Sequence, residues 1–381
     1  MSTASNQNSL SAEQIARSAL LRKSRHILVI QTKFLGDTFW TIPFIENLRR
    51  NLPDATISIV VKQGNEAVFS AHPGVATVIG FPYNEIKKGV AGKLRFLSFL
   101  RQVRNLHPDC VIDLTDGDRG ALMSYFSGAR YRFTYPMGKR ARHKLFTHVV
   151  KPKLECHIVQ FYADFLDLLG LVNYTSEIRY HVLPEALASL EGKTPAAFAE
   201  GGRPKVVIHP GSRVPLHQWG PHNYARLCDL LSERFDVFLV GGPGEKEILD
   251  QVVTQAKRPP VFVSHTLSLA EFAALCSRAD LFVGNDSGPI HVAASTGIFV
   301  FGLYGPTYDE YSGPITSRKC IIEKRQPPCQ PCVRSYCVND QYRACLELIR
   351  PEEVMEKIQQ HFPGSGSEGA CPPASCSPPA S

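Results

Sequence analysis

Short runs of β-branched and apolar residues alternate with longer segments of helical period along most of this chain. That alternation restricts the fold more than any single motif does. Strand signals fall at 26–31, 56–61, 77–81, 109–113 and 130–134, with helical patterns at 38–50, 93–106 and 119–126. Strands separated by helices predict a parallel sheet covered on both faces, and the handedness of such crossovers leaves a doubly wound domain. Pro43 falls inside the first helical pattern, where the missing N–H and the ring predict a kink. A helical pattern at 157–169 ends at Gly170, a natural stop. Residues 171–204 show no clear period, and the second alternation then begins. Its strand signals lie at 205–208, 237–240, 261–263, 281–283 and 298–303, with helices at 223–234, 245–255, 269–277, 289–296 and 351–362. The expected organisation is α/β: a flexible segment at 1–24, one Rossmann-like domain at 25–175, a linker at 176–204, a second such domain at 205–350, and a helix with a disordered tail at 351–381.

A chain of 381 residues can bury two ordinary cores, and 44% hydrophobic with 20% charged residues describes a globular protein. No apolar run approaches the length of a membrane span, and the first 24 residues lack the apolar centre of a secretory signal, so a cytoplasmic protein is expected. Eleven cysteines are then expected as thiols. Four of them form Cys329-x2-Cys332-x4-Cys337-x7-Cys345. The first pair has metal-ligand spacing and four thiolates suit zinc or an iron–sulfur cluster, but the second pair lacks Cys-x-x-Cys spacing, so buried thiols are the alternative. Charge is placed unevenly. Residues 130–153 carry eight Lys or Arg and no Asp or Glu. Such a stretch attracts anionic lipid headgroups, phosphorylated sugars or nucleic acid, or is simply a solvated loop. No nucleic-acid-reading motif accompanies it. Arg130, Arg132, Lys139, Arg140, Arg142 and Lys144 are the candidates for contact with an acidic acceptor.

Ligands of doubly wound sheets bind beyond the C-terminal ends of the strands, so a site is expected from loops 32–37, 209–219, 241–245 and 284–288, lining a cleft between the two domains. The last of these is the most informative. Asp280 to His291 reads as a buried strand, a loop of small residues and a helix opened by Pro289. A helix start exposes unpaired N–H groups and partial positive charge, which holds phosphate; Asp286 and Ser287 suit the cap, and Gly288 admits a ligand close to the backbone. An ordinary capped helix is the alternative.

Taken together, these segments resemble glycosyltransferase family 9, the ADP-heptose:lipopolysaccharide heptosyltransferases. The resemblance is carried by Ile27–Ile30 with Leu35-Gly36-Asp37, by Ile208-His-Pro-Gly-Ser212 with Trp219, and by Val240-Gly-Gly-Pro-Gly-Glu245. It continues through Gly284-Asn-Asp-Ser-Gly-Pro-Ile-His291 with Gly305-Pro-Thr307, and through the cysteine-rich segment with Cys345-Leu-Glu-Leu-Ile-Arg-Pro-Glu-Glu-Val354. Val111-Ile-Asp-Leu-Thr-Asp116 and Phe146-Thr-His148 look most like the heptosyltransferase III type. The resemblance implies a GT-B fold of two Rossmann-like domains, acceptor on the first and nucleotide sugar on the second. It implies inverting transfer of heptose from ADP-heptose to a lipopolysaccharide inner core without a metal. It also implies a lipid-anchored acceptor and hence peripheral contact with the inner face of the inner membrane.

Residue by residue, the resemblance makes Asp37 the catalytic base, although a plain helix N-cap would serve the same position. Ser287, Gly288 and His291 match the diphosphate loop, Ser212 and Arg213 a second phosphate-facing loop, Asp286 a residue facing the donor sugar hydroxyls, and Glu245 the acid accepting from the ribose. The family's usual lysine two residues before the tryptophan is His217 here, a weaker phosphate partner when neutral. That departure leaves open another nucleotide sugar or a non-catalytic nucleotide-sugar-binding relative, and the cysteine cluster separately leaves open a metal-dependent sensor.

Overall fold

A computed structural model of the chain describes residues 10–87, 89–136, 140–152, 156–332 and 336–363. The chain divides into two compact units, the first ending at Glu177 and the second beginning at Ile178.

The first unit holds β1 (His26–Gln31), β2 (Thr56–Lys62), β3 (Thr77–Phe81), β4 (Cys110–Asp113), β5 (Tyr131–Thr134) and β6 (His148–Val149), all parallel, in the order β3-β2-β1-β4-β5-β6. Its helices are α1 (Ala12–Lys23), α2 (Leu35–Trp40), α3 (Ile42–Asn51), α4 (Gly89–Arg104), α5 (Asp118–Phe126) and α6 (Ile158–Leu168). Leu28, Ile30, Val60, Val111 and Met123 centre one face of its core. Near-continuous burial of β1, β2 and β4 is what a sheet covered on both faces demands.

The second unit repeats the topology. Strands β7 (Lys205–His209), β8 (Asp236–Val240), β9 (Phe262–Ser264), β10 (Leu281–Asn285), β11 (Phe299–Tyr304) and β12 (Lys319–Glu323) lie parallel in the order β12-β11-β10-β7-β8-β9. Its helices are α7 (Pro184–Lys193), α8 (Pro221–Leu231), α9 (Lys246–Gln255), α10 (Leu269–Ser277), α11 (Gly288–Ser295), α12 (Asp309–Ser312), α13 (Ala344–Glu347) and α14 (Pro351–His361). In both sheets the winding reverses beside the first strand, between β1 and β4 and between β7 and β10. Doubly wound folds hold their ligands at loops beside such switch points. The paired sheets are those of the GT-B fold.

One local expectation holds in part and two change. The segment expected as a flexible, partly helical lead-in contains α1, opened by a capping box from Ser11 and Gln14. Gln14 and Arg17 donate to the Asp167 and Leu168 carbonyls at the end of α6. Gly170 follows at φ +74°, and a Cβ there would sit 2.3 Å from the Gln14 carbonyl oxygen. The stretch expected as a linker holds α7, which packs on α10 as Ser189 and Lys193 bind the buried Glu271 carboxylate. Pro43 kinks nothing. The chain breaks at Thr41 into α2 and α3, and Pro43 lies in the first turn of the second helix, where no N–H partner is needed.

Candidate active site

The first unit builds its share at the end of β1. Thr32 to Phe34 form a tight loop in which the Thr32 N–H donates to Thr115 Oγ1 at 2.9 Å, tying the ends of β1 and β4 together. Phe34 occupies the N-cap position of α2 and Asp37 stands three residues on, in the first turn. Asp37 is therefore not the cap itself. Its carboxylate accepts from the Phe34 backbone N–H, the return half of a capping box. Burial raises the Asp37 pKa, against the charge of Lys33 and the backbone N–H groups of Phe34 and Asp37. A half-buried carboxylate that holds protons more tightly than usual is a better base.

Two further acids lie close by, and the sequence reading gave neither a role. Asp113 ends β4 with no exposed surface, accepts from the Thr115 N–H at 2.9 Å, and packs so closely on α5 that a Cβ on Gly120 would sit 2.5 Å from it. Burial, opposed by that N–H, pushes its pKa up to about 7. Asp116, at φ +48°, pairs with Arg142 at 3.0 Å, and His143 lies 3.8 Å away. The motif running from Val111 to Asp116 carried the signal.

That pairing changes the picture of the basic stretch. Arg142 is committed to Asp116 and reaches Asp118 at 3.4 Å. Arg132 donates to the Leu145 and Ala129 carbonyls at 2.8 and 2.6 Å, so both arginines hold a loop in place. Arg130, over the Tyr131 ring, and Lys144 are exposed. Lys139 and the side chain of Arg140 lie outside the described residues.

The second unit is organised by a buried amide. Asn285 ends β10 with no exposed surface. Its Oδ1 accepts from the Trp219 N–H at 3.1 Å and the Tyr224 hydroxyl at 2.9 Å; its Nδ2 donates to the Pro210 and Gly211 carbonyls at 2.8 and 3.3 Å. All four of its hydrogen-bonding positions are used. Loop 210–219 is thereby stapled to the end of β10, across the switch point. Trp219 itself is wholly buried, edge-on to Tyr224, with its indole N–H on the Ile349 carbonyl.

Held this way, the loop brings His217 to Asp286. His217 Nδ1 lies 3.2 Å from Asp286 Oδ2, and the Thr307 hydroxyl donates to the same carboxylate oxygen. Burial alone would raise the Asp286 pKa, but hydrogen bonds from His217 and Thr307 and the charges of His217 and His291 hold it below the ordinary range. Burial likewise opposes a charged His217, yet Asp286 outweighs it and raises the pKa. His217, expected to face phosphate in place of a lysine, is thus first a partner of Asp286. His291 is buried within α11, close enough for its charge to act on that carboxylate.

Neither Asp286 nor Ser287 caps α11. Ser287 takes the N-cap position in extended backbone and makes no side-chain cap bond; its hydroxyl lies 3.4 Å from the Asn285 carbonyl. The helix start carries its partial positive charge without a side-chain cap, while the Ile290 N–H donates to the Ser287 carbonyl at 3.2 Å. Ser212 sits on the neighbouring loop, nearly buried, its Oγ accepting from the Val214 N–H at 3.3 Å, and Arg213 beside it is exposed. Glu245 takes the N-cap position of α9, accepts from the Gly242 N–H at 2.7 Å and faces His209 Nε2 at 3.3 Å. A Cβ on Gly211 would lie 2.1 Å from that carboxyl group, so a larger residue there would displace the Glu245 side chain from this position.

Cys329, Cys332, Cys337 and Cys345 line one small cavity with Leu216 and Pro306. Burial, with Cys332 nearby, pushes the Cys345 thiol up to about 11. Among the described residues no three of His, Cys, Asp or Glu are grouped as metal ligands. No helix of the described residues is long and apolar enough to cross a membrane.

The chain is similar to several known proteins. Lipopolysaccharide heptosyltransferase 3 of Escherichia coli K12 is 27% identical over 339 residues, 87% of this chain and 96% of that protein. A glycosyl transferase of family 9 from Veillonella parvula superposes with a TM-score of 0.75 at 22% identity, over 88% of this chain and 96% of its own. The ADP-heptose lps heptosyltransferase II of Escherichia coli gives 0.69 at 20% identity, over 88% and 98%. Residues 96–343 match the family described as glycosyltransferase family 9 (heptosyltransferase), which includes the second unit's switch-point loops. That match spans well over half of the chain, and the protein is a glycosyltransferase belonging to family 9.

Proposed function

We propose that this glycosyltransferase moves heptose from ADP-heptose to the inner core of lipopolysaccharide, with inversion at the anomeric carbon and without a metal. The observation that carries the reading is the turn from Asn285 to Gly288, where an uncapped helix start adjoins the Asp286–His217–Thr307 cluster. In this scheme the acceptor hydroxyl attacks the anomeric carbon as Asp37 takes its proton. The bond from that carbon to the diphosphate oxygen breaks, and ADP departs toward the backbone N–H groups of α11. Fixed donors aimed at the leaving diphosphate supply the charge stabilisation a metal gives elsewhere. Asp286, kept ionised by its partners, accepts from donor sugar hydroxyls, and Glu245 accepts from the ribose. Arg213 adds charge beside the phosphates. Incubation of the protein with ADP-heptose and core oligosaccharides of defined truncation tests this: release of ADP matched by a heptose-sized mass gain on one acceptor is expected, undiminished by EDTA. Turnover of another nucleotide sugar alone, or none, refutes it.

Peripheral contact with the acceptor's membrane belongs to the same proposal. Val90, Leu94 and Leu97 line one face of α4 at helical spacing and are 73, 63 and 53% exposed. Tyr125 and Phe126 of the adjoining α5 are also exposed, with Arg130 and Lys144 in the basic stretch that follows. An apolar stripe with cations alongside suits an anionic bilayer surface. Vesicle binding that weakens with salt and with Leu94→Gln supports it; binding insensitive to both refutes it.

A further inference from the structure

The mechanism leaves unused a basic cavity of the first unit. It opens at the C-terminal ends of β1, β2 and β4, encloses about 400 Å³, and is lined by Lys33, Phe34, Lys62, Tyr83, Thr115 and Arg119, with Asp118 and Gly117 at its edge. Cations from three separate stretches of chain line it, and a fourth, Lys87, lies over the ring of Tyr83 in its wall. Lys62 Nζ lies 5.1 Å from the Phe34 ring centre and 5.5 Å from that of Tyr83. Lys87 and the Arg119 guanidinium lie over the same Tyr83 ring at 4.3 and 4.8 Å. Both also bond the Tyr83 hydroxyl, whose pKa they lower. Lys33 enters from the Asp37 loop, donating to the Tyr135 hydroxyl at 3.4 Å.

Gathering like charges on one ring costs free energy that exposed cation–π contacts, ~0.5–1 kcal/mol each, offset only in part. Acids would neutralise them, and elsewhere in this unit they do: Glu46 takes Arg49 and Arg50, Asp116 takes Arg142. Among the described residues, the ion pairs of this unit include none of Lys33, Lys62, Lys87 or Arg119. Asp118, the one acid at the rim, is turned toward Arg142 instead. Phe34 is 50% exposed at the cavity, an apolar plate of the size that the C–H face of a sugar ring covers. Cations converging beside exposed aromatic faces recognise an anionic sugar.

We infer that this cavity is a subsite for a phosphoryl group carried on the acceptor glycan, held by Lys62 and Arg119 with the bearing sugar against Phe34 and Tyr83. The inference rests on the proposed acceptor, and it supplies what the basic stretch does not, because Arg132 and Arg142 there are committed to the protein. It also sets register. Lys33 and Phe34 stand in the loop that leads into α2, so a phosphoryl group fixed here brings a neighbouring hydroxyl toward Asp37.

The test uses the full chain and its Lys62→Gln and Arg119→Gln variants. Binding of a phosphorylated core oligosaccharide is compared with the same oligosaccharide after chemical dephosphorylation, and with inorganic phosphate and ADP. The wild type is expected to prefer the phosphorylated glycan by about tenfold or more, and each substitution to erase most of that preference, since a charge-assisted bond is lost. ADP affinity and the melting temperature stay unchanged. Equal binding of both glycans by the wild type, a preference retained in both variants, or a loss of ADP affinity in them, which would assign the cations to the donor, each overturns the inference. A preference that survives while no acceptor is heptosylated leaves the subsite standing and removes the transfer reading.

Discussion

Asn285→Ala removes the amide that joins the two switch-point loops of the second unit. Its Oδ1 and Nδ2 make four hydrogen bonds to Trp219, Tyr224, Pro210 and Gly211, and the side chain has no exposed surface for water to replace them. A typical net bond contributes ~0.5–1.5 kcal/mol, and a buried group left unsatisfied costs ~1–3 kcal/mol. Four partners stranded together sum to more, but the Tyr224 hydroxyl can rotate and loop 210–219 can loosen, so a loss of about 3–4 kcal/mol is expected. With a urea slope of ~2 kcal/mol/M, that lowers the midpoint by roughly 1.5–2 M. The chain has two tryptophans, Trp40 in the first unit and Trp219 in the second. In a Trp40→Phe background, Trp219 emission therefore reports the second unit alone. Asn285→Asp supplies the control of sign. It keeps Oδ1 but turns a second oxygen toward two carbonyls in a buried site, which raises that carboxyl's folded pKa above its unfolded ~3.9. The folded state then binds more protons than the unfolded one, and stability falls as pH rises from about 4 through the folded value. ADP affinity falls in both variants, because the loop bearing Ser212, Arg213 and His217 loses its anchor. A midpoint within about 0.3 M of the parent for Asn285→Ala, or an Asp variant more stable at pH 8 than at pH 5, refutes the reasoning.

Asp37→Asn keeps an oxygen for the Phe34 N–H but cannot take a proton, so turnover should drop by about 10²–10⁴-fold while ADP and acceptor affinities hold, as read by single-turnover assay and calorimetry. The His217 pKa is raised by Asp286, so the loop's stabilisation is complete below the unfolded value of about 6.5 and is lost as pH rises through the folded one. ADP affinity is expected to fall above neutral pH, and His217→Lys to flatten that profile. Glu271 has its pKa lowered to about 2 because Lys193, Ser189 and Ser268 outweigh its burial. Its contribution is present above pH ~4.5 and lost as pH falls through about 2, and Glu271→Gln should loosen α7 first, seen as faster amide exchange there.

Central strands were legible because burial on both faces writes itself as uninterrupted apolar runs. The two strands that the pattern misses are both sheet edges. β6 has two residues, and β12 reads Lys319-Cys-Ile-Ile-Glu323, with alternate residues only half-buried. Edge position alone does not hide a strand, since β3 and β9 are edges that the pattern finds; β6 is too short to form a run, and β12 is bracketed by charged residues. α7 escaped for a related reason: Ala186 and Leu190 are its two buried residues, and its docking rests on the polar bonds to Glu271. Pro43 misled because one proline allows two geometries, a kink or a first turn, and only Thr41 as the junction separates them.

For the site, what sequence proximity could show and what it could not divide along a physical line. Asp286, Ser287 and Gly288 are contiguous, and their strand–turn–helix order predicts the helix start that the fold delivers. Asn285, one residue earlier, reads as a loop residue, because every side-chain partner it has is at least 61 positions away. Charge behaves in the same way. The dense run at 130–153 spends Arg132 on local carbonyls and Arg142 on Asp116, holding a turn that the missing acids of its own segment cannot hold. Lys33, Lys62, Lys87 and Arg119 are far apart in the chain, yet four successive crossovers of a parallel sheet deliver them to one edge. Density along a chain measures what a segment needs for itself. Convergence at strand ends measures what it offers to a ligand, and in a doubly wound fold that second quantity is set by topology, which spaces its contributors some thirty residues apart.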